Sequence, residues 1–299
     1  MNINSKFAGI IFALLAALFN GMVGVLSVNI FNSGLTSEAV AFFKCLIALF
    51  IVGIILLISK QGKNLIIYLS TKWKSIAICS FFGFFVLYHF ETAAYKSINV
   101  AVVVFCLFGA STITTFLVEA IMNKRFFNIK ELLSITFAII GLYFIFADGS
   151  TSLDNNKGLL FSILAGIGYG LFIVLSKKLD IGAGLIPVFS LLLFGVIYLL
   201  FPFMFFGFSL PSIDNITYLI YLAILPTIGG FWCTTKALTI LKSQSVQLIE
   251  LTEPIFAIIF AIVFLGQVTT FFQLIGGLLI ICSIIVYEFL PIKLQKERK

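Results

Sequence analysis

Residues Gly9–Gly21 read GIIFALLAALFNG, and residues Gly158–Gly170 read GLLFSILAGIGYG. The two stretches align without a gap. Each carries small residues four apart: Gly9, Ala13, Ala17 and Gly21 in one, Gly158, Ser162, Gly166 and Gly170 in the other. In hydrocarbon, helices associate by close packing, so such a ladder marks a surface where another helix lies near. One ladder says little, but its recurrence at matching positions indicates an internal repeat. A second alignment, shifted by 143 residues, places Ala94–Met122 on Ala237–Leu265.

The composition around these stretches sets the solvent. Of 299 residues, 61% are hydrophobic, 10% are charged and 36 are Phe. The mean hydropathy is +1.19. A soluble domain carries roughly 25% charged residues, so soluble, disordered, collagen-like, coiled-coil and disulfide-rich secreted classes are excluded. The chain reads as an integral membrane protein. Its five cysteines (Cys45, Cys79, Cys106, Cys233, Cys282) lie in apolar stretches, form no CxxC pattern and are expected to be buried free thiols. With a single His in the chain, neither a metal site nor another cofactor is expected.

Runs of about 20 apolar residues can cross a bilayer. Ten are found, near Phe7–Phe31, Thr36–Ser59, Trp73–Tyr95, Val100–Met122, Leu132–Ala147, Gly158–Lys177, Leu185–Phe206, Ile216–Leu241, Ser245–Gly266 and Phe272–Leu290. The repeat divides them into residues 1–148 and 149–299, five spans each. Because five is odd, the second half enters the membrane in the opposite sense. The expected fold is therefore all-α and integral to the membrane: ten transmembrane helices in two inverted five-helix repeats, an architecture of alternating-access transporters.

Placing both termini in the cytoplasm puts 15 of the 19 Lys and Arg residues on the inner side, against Lys96 and Lys157 outside. That asymmetry orients the chain in the inner or plasma membrane. It also accounts for the net charge of +7 without nucleic acid as a partner. The first span is too long for a cleavable signal peptide and has no small-x-small site. The basic tail, Lys293–Lys299, reads as an inside anchor that meets membrane lipids.

Gly158–Gly170, the segment Leu251–Ala257 (LTEPIFA) and Phe264–Gln267 (FLGQ) together resemble the EamA repeats of the drug/metabolite transporter superfamily. The resemblance covers Phe7–Leu290. It implies ten helices in two inverted EamA repeats, cytoplasmic termini, a central cavity and, most often, export of amino acids or other small metabolites. This chain departs from the pattern at Gln267, where an acid is usual. It departs also at Ser111, where the second repeat has Pro254, and at Asn123 and Lys124, where Gly-Glu is usual.

Ionisable groups inside hydrocarbon are costly and need a partner or a cavity. In the third span, Tyr88, Glu91 and Tyr95 share a face, and a carboxylate between two aromatic rings suits a cationic or zwitterionic ligand. An interhelical ion pair is the alternative for Glu91. His89 lies about 200° around the helix from Glu91, with a hydrogen bond or proton coupling as its two readings. In the ninth span Gln247, Glu250 and Pro254 share a face with Glu253 slightly offset. A proline kink is expected there, freeing the carbonyl of Glu250 for a midplane site or gate.

Trp232 and Lys236 stand one turn apart in the eighth span. Lys236 is read either as a contact for a substrate carboxylate or as the counter-ion of Glu250 or Glu253. Lys44 is read as structural, with Glu38 as its partner, and Glu119 as interfacial beside Lys124 and Arg125. Asn20 and Tyr169 are repeat-equivalent and are expected to line the cavity.

The expected activity is secondary active transport of a small polar metabolite, an amino acid or amine, by alternating access with protons as coupling ion and export as direction. The ligand contacts expected are Glu91, Tyr88, Tyr95, Trp232, Lys236, Asn20 and Tyr169. His89, Glu250, Glu253, Pro254 and Gln247 are expected to couple or gate. Uptake of a quaternary amine or nucleoside-like metabolite, and flipping of a lipid carrier, are the rivals. A membrane enzyme would need a metal set or an activated nucleophile, and no GxxxxGK[ST] loop is present for ATP. A monomer and a homodimer both fit.

Overall fold

The computed structural model describes residues 3–146 and 153–289. The boundary at 148/149, the ends of the fifth and tenth spans at Ala147 and Leu290, and the tail Lys293–Lys299 lie outside the described residues. Among the described residues every regular element is helical. The first span is α1 (Ile3–Asn20) followed by α2 (Val23–Phe31), and the second is α3 (Ser37–Ile58). The third is α4 (Gly62–Ser80), a π-helical turn (Phe81–Val86) and α5 (Leu87–Ser97). The fourth and fifth are α6 (Val100–Met122) and α7 (Ile129–Phe146).

The second half repeats the plan. It holds α8 (Leu153–Lys178) and α9 (Leu185–Phe206), then α10 (Ile213–Leu222), a π turn (Ala223–Gly230) and α11 (Phe231–Ile240). The ninth span is α12 (Ser243–Glu250) with α13 (Glu253–Leu265), and α14 (Phe271–Phe289) is the tenth. Eight of these rods are long and apolar enough to cross a membrane. α7 and α14 complete the ten, at about 27–29 Å each from a rise of about 1.5 Å per residue.

The packing obeys a pseudo-two-fold exchange of halves. α8 lies on α6 and α5, as α1 lies on α12, α13 and α11. α3 pairs with α9, and α7 with α14, across the axis. The two π turns are also equivalent, since Phe81–Val86 shifted by 143 falls within Ala223–Gly230. Each has a local cause: Gly83 in the first meets the Phe172 ring, while Pro226 in the second lacks an N–H donor and Gly230 meets the Asn20 side chain.

The small-residue ladders do what their spacing implies. A Cβ on Gly166 would collide with the Leu107 carbonyl, and one on Gly170 would lie 2.7 Å from the Ser111 carbonyl, so this ladder seats α8 on α6. In the other repeat, a Cβ on Gly9 would lie 2.8 Å from Leu241 and one on Gly21 2.8 Å from Phe256. Ala13 and Ala17 between them are wholly buried. α7 and α14 touch as closely, with Ser134 donating to the Ser283 carbonyl at 2.7 Å.

One end of the bundle gathers the basic residues. Lys178 donates to the Met122 carbonyl at 3.0 Å, Lys177 to the Leu238 carbonyl at 2.5 Å, and Lys72 to the Asp180 carbonyl. Arg125 forks onto Glu131 with two bonds of 2.7 Å, and Gln244 donates to the same carboxylate at 2.9 Å. The other end is tied by neutral groups: Thr36 to the Gly207 carbonyl at 2.5 Å, and the Val100 amide to Gln267 at 3.1 Å. Large apolar side chains on the outer faces, such as Leu57, Ile58, Phe205 and Phe206, are exposed, as lipid contact requires.

Candidate functional site

A cavity lies at the centre, where α1, α2, α5, α6, α8, α11 and α13 converge. Its lining includes Asn20, Tyr88, Glu91, Phe108, Tyr169, Phe231 and Glu253, with Val23, Leu87 and Leu107 between them. The space between atoms is about 300 Å³, but it is narrow, and a water-sized sphere fits it only in one small place. A metabolite-sized ligand would require the walls to part.

Local structure explains which side chains reach it. Asn20 ends α1 at the Gly21–Met22 break, and Glu253 opens α13 after the break at Leu251–Thr252. A continuous helix would carry these polar groups past the cavity, whereas a break holds them at its wall. Glu253 also stands in the first turn of α13, where the exposed amide dipoles favour an anion. Tyr88 and Phe231 follow the two π turns at equivalent positions, with ring centroids 5.5 Å apart. Phe84, inside the first π turn, packs on both, 5.3 Å from Tyr88 and 4.3 Å from Phe231.

Three carboxylates serve this region. Glu91 is buried, and its Oε2 lies 3.9 Å from Lys44 Nζ. Tyr95 donates to Glu91 Oε1 at 3.4 Å. Lys44 also donates to Thr92 at 3.3 Å and sits 3.6 Å above the centre of the Tyr88 ring. Glu250 is wholly buried; it accepts from the Tyr169 hydroxyl and, at 2.7 Å, from Thr234. Glu253 stands beside Asn20 in the cavity wall. Gln247 accepts from Ser111 at 3.0 Å, behind Glu250. Among the described residues, Lys44 is the one cation paired with any of these acids.

Several sequence expectations meet a different geometry. The partner of Lys44 is Glu91 and not Glu38, whose carboxylate instead accepts from Ser37 at 3.0 Å. Pro254 does not kink a continuous helix: α12 has ended at Glu250, and the proline occupies the first turn of α13, where a missing N–H costs nothing. Trp232 and Lys236 share a face as expected, but that face packs on α1, with the Trp232 ring 5.7 Å from Phe12. Neither lines the cavity, and no described carboxylate pairs with Lys236.

His89 is half-buried between Phe85 and Phe90 on the side of α5 away from the cavity. Asn20 and Tyr169 both line the cavity, Tyr95 stands behind Glu91, and Cys45, Cys79, Cys106 and Cys233 are buried free thiols. Thr92, Thr234, Phe108 and Phe231 were not singled out by sequence. Of these, Phe231 and Thr234 carried a signal, as the repeat-equivalents of Tyr88 and Glu91.

Comparison with known proteins agrees with this architecture. An uncharacterized transporter from Clostridium kluyveri is 25% identical over 293 residues, covering 93% of this chain and 92% of that protein. An uncharacterized transporter from Archaeoglobus fulgidus is 28% identical over 196 residues, 65% of this chain and 69% of the other. A crystal structure of a protein 14% identical superposes with a TM-score of 0.67, covering 94% of this chain and 96% of that one, a likeness of fold. The sequence profile of the EamA-like transporter family matches twice, over residues 7–147 and 156–288, one match per repeat. The chain belongs to the EamA-like transporter family.

Proposed function

We propose that this transporter moves a small organic amine, or an amino acid held by its amine, through the central cavity by alternating access. One observation carries the reading. Glu91 and Glu253 both line an aromatic cavity whose nearby cation, Lys44, is already committed to Glu91. With Lys44 engaged, Glu253 stands at the wall without a protein cation, and Tyr88, Phe108, Tyr169 and Phe231 present ring faces or edges around it. A positively charged nitrogen is the ligand group that gains from both features, through ion pairing and cation–π contact. The absence of Lys236 from the wall removes the expected partner for a substrate carboxylate and shifts the preference from zwitterion to amine.

The constricted cavity supports an occluded conformation, from which rocking of the inverted halves would open either end. Protons as coupling ion, export as direction and a cell-membrane location with cytoplasmic termini complete the proposal. The basic residues gathered at one end support that orientation.

The test is a thermal-stability screen of the purified protein against putrescine, choline, lysine, leucine, uncharged nucleosides and simple carboxylates. It is followed by counterflow in proteoliposomes with whatever stabilises. A ligand at 100 times its dissociation constant adds about 2.7 kcal/mol. Amines should stabilise the wild type and lose that effect in Glu253→Gln. Stabilisation confined to carboxylates or nucleosides would overturn the assignment.

A further inference from the structure

Four buried polar atoms without a protein hydrogen bond lie along one seam of the bundle: Gln247 Nε2, Thr112 Oγ1, Thr115 Oγ1 and Glu119 Oε2. Leaving one such atom unpaired in a dry interior costs roughly 1–3 kcal/mol. Three of the four belong to α6 and the fourth to α12. Thr112, Thr115 and Glu119 are spaced three and four apart, on the face of α6 that also carries Ser111 and its bond to Gln247. The seam rises about 12 Å from Ser111 to Glu119.

Its two ends are chemically distinct. Gln247 stands one turn before Glu250 on α12, and Glu250 accepts from Tyr169, a residue of the cavity wall. Tyr169, Thr234, Cys233 and Glu253 are the other polar or titratable groups that face Glu250. At the far end, Glu119 faces Arg125, Glu131, Lys242 and Lys178, the charged groups at the basic end of the bundle. Water entering such a seam would find the Thr112 and Thr115 hydroxyls, the Gln247 amide and the Glu119 carboxylate as hydrogen-bond partners.

We propose that this seam is a hydrated proton path joining the basic end of the bundle to Glu250, separate from the substrate cavity. Glu119 takes a proton from bulk water and releases one to the seam. The proton passes along waters bonded to Thr115, Thr112 and Gln247, and the Glu250 carboxylate receives it. Charge balances at each step, because Glu119 returns to its starting form and Glu250 is neutralised. The path rests on the proposed reading of proton-coupled amine transport, and deepens it by separating where the proton travels from where the amine binds.

The test uses pyranine-loaded proteoliposomes and labelled putrescine, choline and lysine, with amine counterflow and amine-evoked proton movement read in the same preparation. Glu119→Gln is expected to lower proton movement at least tenfold while leaving counterflow within twofold of wild type. Thr115→Val, the gentler variant, should lower it severalfold. Thr114→Val, whose hydroxyl bonds the Ala110 carbonyl of its own helix at 2.8 Å, should leave both readings unchanged. Wild-type proton movement in both seam variants, or an equal fall of both readings in each, would overturn the path. Counterflow by wild type without any proton movement would overturn the path and leave amine transport standing. Exchange of none of the three amines would overturn both.

Discussion

Lys44 and Glu91 are predicted to be strongly coupled, and the coupling can be worked from their surroundings. Both are buried, and Lys44 is 1% exposed. Replacing Lys44 by Met keeps the volume but leaves the Glu91 carboxylate with only the long Tyr95 hydrogen bond. Removing one member of a buried ion pair costs about 3–5 kcal/mol, most of it from the charge left behind. Replacing Glu91 by Gln should cost less, about 2–3 kcal/mol, because Lys44 keeps Thr92 and the Tyr88 ring and a desolvated cation–π contact is worth about 2 kcal/mol.

The double variant Lys44→Met/Glu91→Gln strands no charge and should lie within about 2 kcal/mol of wild type. The two single costs therefore over-count by at least about 3 kcal/mol. Denaturation of the four proteins in mixed micelles closes the cycle. Additivity to within about 0.5 kcal/mol, the behaviour of independent sites, refutes the pairing. A second reading comes from the same variants: with Lys44 gone, Glu91 has no protein cation, so putrescine should stabilise Lys44→Met by more than it stabilises wild type.

Gly166→Ala should destabilise by about 1–3 kcal/mol, since its Cβ has the Leu107 backbone before it and not a side chain that can turn. Gly62→Ala, which meets nothing within 4 Å, should be neutral or stabilising by up to about 1 kcal/mol; thermal unfolding compares the two. Glu131→Gln should cost about 2 kcal/mol, less than a fully buried pair because Arg125 is a third exposed, with the loss read in the same assay. Pro254→Ala should change stability by less than about 1 kcal/mol and retain amine counterflow, because the break before it is already made at Leu251–Thr252. A loss of transport in that variant would restore the proline to a gating role.

The spans and the repeat were legible because they rest on composition and on a period, both of which survive translation into any packing. Which face meets which neighbour is not periodic information. Trp232 and Lys236 share a face as their spacing requires, yet only the fold reveals that the face meets α1 while Phe231 and Thr234 turn inward. The partner of Lys44 was hidden for a similar reason. Glu38 is near in sequence, but helical rise carries it to the end of α3, while Glu91 arrives from α5 at the right depth. The breaks were half legible: Gly21 and Pro254 marked the places, but a proline signals both a kink and the first turn of a new helix, and neighbouring residues decide between them. The π turns left a trace only in Gly83, Pro226 and the Gly229–Gly230 pair.

The same comparison shows that the two repeats share a backbone plan and divide the chemistry unequally. The first and ninth spans, which pack together through Gly21 and Phe256, are broken at the cavity. Their counterparts across the pseudo-two-fold axis, α8 and α6, run through without interruption. Ser111 stands where Pro254 stands in the other repeat, so α6 keeps the amide that continues its helix. The acids follow the same division: a shift of 143 carries Glu91 to Thr234, and carries Leu107 and Ala110 to Glu250 and Glu253. Exchanging the conformations of the halves would therefore leave charge, proline and hydroxyl seam where they are while the packing around them changes. Two access states related by such an exchange are alike in shape and unequal in electrostatic energy. Under the proposed mechanism, a cation or proton arriving at Glu253 or Glu250 would change that inequality and shift the balance between the states, which is the physical requirement for coupling a ligand to the movement of the bundle.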